Sequence, residues 1–407
     1  MSAEPSALSV PRTRPIWRQL AGVHEYLPPA VRHVFWPFIL SRLLVIVILA
    51  CTPLMQQGLA DHWGSRDNMN IRISPKAIAE GFRRVAIHND AAFYHDIAAN
   101  GYEERPFDTS RASTWAFFPL HPMMWRGVAN ITGEWLWSGV LLVNLLAFAA
   151  FCLLWSLART VTTSVALADY AVIAALCWPS TYFMMLPHSE ALFFTLVTAA
   201  FLGEVLKHPL LSPVIGAFAS AARVNGAFLA PALLVDRWYR GERRARDLVP
   251  LGLVGMGLGA YMAYLWHATG NPLAFKDIQV IWGRSLHAPW IALLDYINRP
   301  LQLAEPWNPK IVNFAAVVMA GCSMVTCWKR GWRGLAIFTG LTVLAPLSTG
   351  TLTSMYRYVS VAPGVYIALA VWAEGKPRFG MLWLATSVFA LTLLCTLFTL
   401  GIDIGGA

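Results

Sequence analysis

From about residue 34 to residue 400 the chain is a succession of apolar runs, near 34–55, 136–158, 165–186, 190–206, 210–235, 248–268, 311–328, 334–349, 355–373 and 380–400. A run of roughly 20 apolar residues is what an α-helix needs to cross a bilayer, and backbone polar groups inside lipid must be satisfied within the segment. The pattern predicts an all-α polytopic membrane protein with about ten to twelve crossings. Only 13% of the residues are charged and 57% are hydrophobic, about half the charge of an ordinary soluble domain. No polar block is long enough to fold separately, so residues 1–407 are expected to form a single integral domain. It would have a cytoplasmic head at 1–33, a first extracytoplasmic loop at 56–113 and a second at 269–310. The run Val34 to Met55 exceeds a signal-peptide core and reads as an uncleaved first helix.

The net charge of +9, from 31 Lys and Arg against 22 Asp and Glu, does not indicate nucleic acid, because the basic residues sit in short segments flanking apolar runs. They are Arg12, Arg14, Arg18 and Arg32 in the head, then Arg237, Arg240, Arg243, Arg244 and Arg246, then Lys329, Arg330 and Arg333, then Lys376 and Arg378. Such clusters belong on the cytoplasmic side. Eighteen Trp and twelve Tyr suit residues that settle at bilayer interfaces. The six cysteines all lie in apolar runs with no CxxC pair, which argues against structural disulfides and zinc.

The basic clusters supply a parity test. Segments 248–400 alternate consistently, with 269–310 and the C-terminus outside. Between the first loop and Arg237 an odd number of crossings is required, whereas 136–158, 165–186, 190–206 and 210–235 supply four. Either Trp115–Ile131 crosses the membrane, or 210–235 is broken at Ala222-Arg223-Val224-Asn225-Gly226 into two short helices. The break is favoured, because an arginine at the bilayer centre is costly unless it borders a polar cavity.

The first outer loop carries His88-Asn89-Asp90-Ala-Ala-Phe93-Tyr94-His95-Asp96-Ile97-Ala-Ala-Asn100-Gly101-Tyr102, followed by Trp115-Ala-Phe117-Phe118-Pro119-Leu-His121-Pro122. A helix over 88–99, stopped at Gly101, puts Phe93 and Ile97 on one face suited to the headgroup region. Asp90 and Tyr94 share another face. Asp90 and Asp96 lie about 240° apart and cannot converge as a carboxylate pair. His88 and His95 are about 10 Å apart along the axis, too far to share a metal. The tryptophans of 115–125 read first as an interfacial anchor and only second as a sugar-stacking platform.

Asp-Ala-x-x-Tyr-x-x-Ile-Ala-x-x-Gly-Tyr followed by Phe-Phe-Pro-Leu-x-Pro resembles the first luminal loop of the phosphatidylinositol-glycan class V type mannosyltransferases, of the glycosyltransferase C superfamily. Pro187-His188-Ser189-Glu190-Ala-Leu-Phe193, Ser220-Ala-Ala-Arg223-Val-Asn225-Gly226, Gly270-Asn-Pro-Leu-Ala-Phe275 with Trp282-Gly-Arg284, and Ser354-Met-Tyr356-Arg357-Tyr358 look like later landmarks of the family in the same order. The resemblance implies inverting transfer of a sugar, typically mannose, from a polyprenyl-phosphate donor to a lipid or glycolipid acceptor at the extracytoplasmic face. Asp90 matches the family's acidic residue, its general base or acceptor-orienting group. The family usually has Trp-Asp where this chain has Asn89-Asp90, and Tyr is commoner where it has His121 and His188.

The residue chemistry is compatible. A carboxylate can take the proton of an attacking hydroxyl, and arginines can hold the lipid phosphate whose charge grows as it leaves. Arg223, Asn225, Arg357 and Tyr358 are the substrate-contact candidates within apolar runs. Tyr94, His121, His188, Glu190, Arg284 and His287 are those in loops or at helix ends. Plainer readings stay open: paired or snorkelling arginines, a Glu190 that serves the helix dipole, and a hydrated loop His287. No cofactor is expected and a divalent-cation requirement is open. No P-loop, dinucleotide fingerprint or HExxH occurs, and the glycines of 252–259 suit close helix packing. The competing readings are a transporter or flippase, disfavoured by the absence of internal repeats and by acids crowded into one outer loop, and a non-catalytic assembly subunit.

Overall fold

The computed structural model describes residues 27–64, 75–298 and 310–402, and the side chains of 53–64, 75, 77 and 78 lie outside that description. The head arginines Arg12, Arg14 and Arg18, and Asp67, fall outside the described residues, as does the stretch 299–309 of the second loop. Described residues form helices joined by turns and irregular stretches, with no strand among them. A long α1 (Pro29–Gly64) leads into two short helices, α2 (Pro75–Ala86) and α3 (Asp90–Asn100). Next come α4 (Leu120–Thr132), α5 (Trp135–Thr162), α6 (Val165–Leu176), α7 (Glu190–Val205), α8 (Leu211–Ala222) and α9 (Leu229–Tyr239). One helical span, α10 (Ala245–Thr269), precedes the stretch that holds α11 (Ile291–Asn298). The chain finishes with α12 (Lys310–Lys329), α13 (Arg333–Leu347), the one-turn α14 (Met355–Val359), α15 (Pro363–Gly375) and α16 (Pro377–Thr399).

Five helical stretches, Pro29–Thr52 of α1, α5, α10, α12 and α16, are long and apolar enough to cross a bilayer. The chain is a multi-pass membrane protein. Shorter apolar helices, among them α6, α8 and α13, pack between them. Their buried faces form one core running from Val34 to Phe398. Leu40, Leu43 and Val47 of α1, Leu141 and Leu145 of α5, and Met381, Leu382 and Phe389 of α16 stay exposed, as suits faces turned to acyl chains.

The apolar run 210–235 is broken where the parity argument puts the break. Helix α8 stops at Ala222, Arg223 is extended at φ −157° and ψ 149°, and a 3-10 turn over Val224–Phe228 leads into α9. The break is sharp enough for both arms to return to the same end. Arg237 near the end of α9 donates to Pro209 O, just before α8, at 2.9 Å and to Glu204 at the end of α7 at 2.8 Å. Segment 206–239 is therefore a hairpin whose two ends lie together. Trp115–Ile131, the alternative crossing, is a 3-10 turn followed by the 13-residue α4.

Glycine permits the hairpin. A Cβ on Gly226 would overlap the Ala219 carbonyl group and the Ser220 nitrogen. Of the glycines in 252–259, Gly257 alone packs that closely, against Ala217 and Ala221 of α8, while Gly252, Gly255 and Gly259 have open space around them. Close packing thus accounts for one of the four.

Three expectations need correction. The Phe93 and Ile97 face of α3 lies within the protein rather than in headgroups: Ile97 is buried and Phe93 stacks on Phe117 at 4.6 Å. An amphipathic helix buries its apolar side equally well on protein. Trp115 and Trp125 are fully buried instead of interfacial, with indole N–H groups donating to Glu103 O at 2.9 Å and Trp135 O at 2.8 Å. Once its N–H is satisfied, burial of a large ring is favourable. Finally, the runs 165–186 and 355–373 are not continuous helices. The first ends at Leu176 and continues as a buried irregular stretch through Ser189, and the second is interrupted between Val359 and Pro363.

Gly226→Ala is expected to lower the thermal midpoint sharply or prevent recovery of monodisperse protein. Gly255→Ala, in open space, should be neutral or stabilising by up to about 1 kcal/mol. Thermal unfolding in detergent with size-exclusion chromatography distinguishes these outcomes.

Candidate active site

Glu190 is the first residue of α7 and only 1% exposed. It lies where two chain interruptions meet, Arg223 at the α8–α9 break and Arg357 on the isolated turn α14. Arg357 donates to Glu190 Oε1 through Nη2 at 2.7 Å and through Nε at 3.1 Å. Arg223 Nη1 reaches the same oxygen at 3.0 Å. Arg357 Nη2 also donates to Asp90 Oδ2 at 2.8 Å. Residues distant in sequence are thus joined through one buried carboxylate.

Local structure explains how each arrives. Asp90 opens α3 after Asn89, whose φ of 54° is a left-handed value that Asn tolerates better than most residues. Ser354, at φ 65° and ψ 12°, adopts the left-handed helical conformation just before α14. The carbonyl of Tyr356 accepts hydrogen bonds from Trp178 Nε1 at 2.8 Å and Ser180 Oγ at 3.1 Å, and its N–H donates to Asn313 Oδ1 at 3.2 Å. The irregular stretch after α6 therefore braces the turn carrying Arg357. Tyr94, one turn after Asp90, donates to Ser189 Oγ at 2.8 Å and ties α3 to the start of α7. Burial pushes the Tyr94 hydroxyl far above its ordinary titration range, so it stays a donor. Burial likewise keeps His95 below its usual value and neutral in its half-buried place beside Trp125 and Trp135.

A cavity of about 420 Å³ opens above this cluster. Of the residues singled out from sequence, Asp90, Tyr94, Arg223, Asn225, Arg284, Arg357 and Tyr358 line it. Glu190 lies beneath, bound to both arginines. His121 and His188 are fully buried behind the wall, His121 with Nε2 at 3.3 Å from Pro187 O and its ring edge-on to Tyr94, His188 beside Phe183. His287 does not join them. It is exposed, bonded to Ser285 and packed over Gly350. Lys276, Gln279, Phe117, Phe118 and Phe275 also line the cavity. A loop lysine carries no local signal that separates it from a hydrated one, whereas an arginine in an apolar run does.

Asp90 keeps about a third of its side chain exposed, and its Oδ1 accepts no hydrogen bond among the described residues. The arginine on Oδ2 fixes the orientation of the carboxylate and leaves Oδ1 at the cavity side. No group of three His, Cys, Asp or Glu side chains able to hold a metal occurs among the described residues.

No family model matches the sequence, and no curated protein matches it. Among solved structures, the Archaeoglobus fulgidus oligosaccharyltransferase in its apo form is similar over 93% of this chain and 57% of its own, at 11% identity and a TM-score of 0.50. The same enzyme in complex with zinc and sulfate aligns over 91% and 53% at 11% identity and TM-score 0.47. Tethered to an acceptor peptide containing the NVT sequon, it aligns over 92% and 56% at 11% identity and TM-score 0.48. This chain spans a little over half the length of that neighbour. The likeness is one of fold, and the fold is that of the glycosyltransferase C class.

Glu190→Gln removes the shared counter-charge of two buried guanidinium groups, a change expected to cost about 3–5 kcal/mol. A lowered thermal midpoint of the purified protein would report it, and an unchanged midpoint would mean that the cluster does not hold the breaks together.

Proposed function

We propose that this chain is an inverting glycosyltransferase of the phosphatidylinositol-glycan class V mannosyltransferase type. It moves a sugar, typically mannose in enzymes of that type, from a polyprenyl-phosphate donor to a lipid or glycolipid hydroxyl. The observation that carries the reading is Asp90: a carboxylate fixed by Arg357 on one oxygen, with the other available at the wall of a cavity of about 420 Å³. The ordered sequence landmarks and the glycosyltransferase C fold support it.

In the reaction the acceptor oxygen attacks the anomeric carbon as its proton passes to Asp90 Oδ1. The bond from that carbon to the phosphate oxygen breaks on the opposite face, so configuration inverts and polyprenyl phosphate leaves. Tyr94 and Asn225 are placed to orient sugar hydroxyls. The apolar part of the wall, with Val224, Ala345, Pro346 and Trp282, suits a polyprenyl chain entering from the side.

The two ends of α7 support an orientation for this reading. Glu190 and Glu204 are separated by about 21 Å along the helix axis. At the Glu204 end gather Arg237, Arg240, Asp236 and the start of α13, where Gly334 N donates to Asp236 Oδ1 at 2.6 Å. By the positive-inside rule this basic end would be the cytoplasmic one, with Asp90 at the extracytoplasmic face. The whole of 1–407 is read as one integral domain with its N-terminus cytoplasmic.

Asp90→Asn should lower transfer from polyprenyl-phosphate mannose to a membrane-lipid extract by at least about 100-fold while the protein still elutes as a monodisperse species. Wild-type protein that transfers neither mannose nor another polyprenyl-phosphate sugar would overturn the reading and favour a transporter. His287→Ala, away from the cavity, should leave transfer at the wild-type rate.

A further inference from the structure

At the depth of the cavity the charges already cancel. Arg223 and Arg357 are matched by Glu190 and Asp90 at 2.7–3.0 Å. A phosphate brought against these guanidinium groups would meet two carboxylates that already occupy them, a like-charge juxtaposition that opposes binding. The arginines singled out from sequence as phosphate holders are thus committed to fixing the carboxylates.

The stretch 270–284 supplies different cations. Lys276 and Arg284 both line the cavity. Arg284 Nη1 donates to Gln279 Oε1 at 2.9 Å, which orients the guanidinium, and no carboxylate pairs with it among the described residues. Lys276 keeps 67% of its side chain exposed, with Asp277 no nearer than 3.9 Å. The stretch is a firm platform: Phe275 and Ile278 are buried against Tyr261, and Asn271 Nδ2 donates to Asp277 Oδ2 at 2.9 Å. Asp277 is held by that bond, beside Lys276, and does not line the cavity.

We infer that Lys276 and Arg284 form the subsite that binds the phosphate of the polyprenyl-phosphate donor, while Arg223 and Arg357 act as positioning residues for Asp90 and Glu190. The inference deepens the glycosyltransferase reading and rests on it for the identity of the ligand. It places the phosphate on the wall formed by 270–284, beside the apolar Phe275 and Trp282, with the reacting carbon between that wall and Asp90. Charge-assisted contacts of an ammonium and a guanidinium with phosphate oxygens then neutralise the leaving group.

The test is binding of undecaprenyl phosphate, the product without its sugar, to the full chain in neutral-lipid nanodiscs. Binding without turnover separates this inference from the proposed reaction, which is judged by the transfer assay alone. Lys276→Gln/Arg284→Gln should weaken binding by about 10- to 100-fold with an unchanged thermal midpoint. Wild-type affinity should fall with added salt, and that of the double variant much less. The exchange Lys276→Arg/Arg284→Lys, which keeps both charges, should restore most of the affinity. Binding by the double variant equal to wild type would overturn the subsite. Inorganic phosphate competing as well as undecaprenyl phosphate would overturn the assignment to a lipid donor. A greater loss of binding in a folded Arg223→Gln protein than in the double variant would return the phosphate to the deep arginines.

Discussion

A single buried carboxylate organises this molecule. Glu190 sits at the start of α7 with two guanidinium groups on one oxygen. Each guanidinium comes from a place where the helical ladder is interrupted. Interrupting helices inside a membrane exposes backbone groups to a medium that cannot satisfy them, and burying arginines there adds a further penalty. The two problems are solved together: the interruptions give the arginines room to turn inward, and the shared acid stabilises them there. Asp90, joined through Arg357, is the carboxylate of the cluster that lines the cavity.

What distinguishes the site is this difference in exposure between two carboxylates that share an arginine. Glu190 is sealed and bound by two cations, a structural role. Asp90 is a third exposed and bound through one oxygen, which leaves the other facing the cavity. The cavity thus has a neutral, rigid floor and a cationic wall contributed by a different stretch of chain. On the proposed reading, that division would let the floor stay fixed while the wall meets a charged ligand.

Much of this was legible in the amino-acid sequence because charges in apolar runs are conspicuous. Arg223 and Arg357 stood out, and of the two ways to meet the parity of the basic clusters, a break near Arg223 was the one favoured. Asp90 stood out in its motif. The interruption before Pro363 was less visible, since a proline at the start of a helix is as ordinary as one after a break. Lys276 was silent because a lysine in an outer loop is usually solvated. Phe93, Trp115 and Trp125 misled for one physical reason: the preference of aromatic rings for a bilayer interface and for a protein core comes from the same apolar surface. Only the neighbours, which the sequence does not list side by side, decide between them.

The hairpin of α8 and α9 carries a consequence for how the chain is made. At 12 and 11 residues, its arms are about 18 and 16 Å long, well short of a hydrocarbon core roughly 30 Å thick. Neither arm can be threaded into lipid as a segment stable by itself, and the buried turn between them holds an arginine. The pair must enter against a pocket already built by its neighbours, α7 on one side and α10, synthesised afterwards, on the other. Biogenesis therefore has an order, in which the floor of the cavity is completed only after chain downstream of it has been inserted.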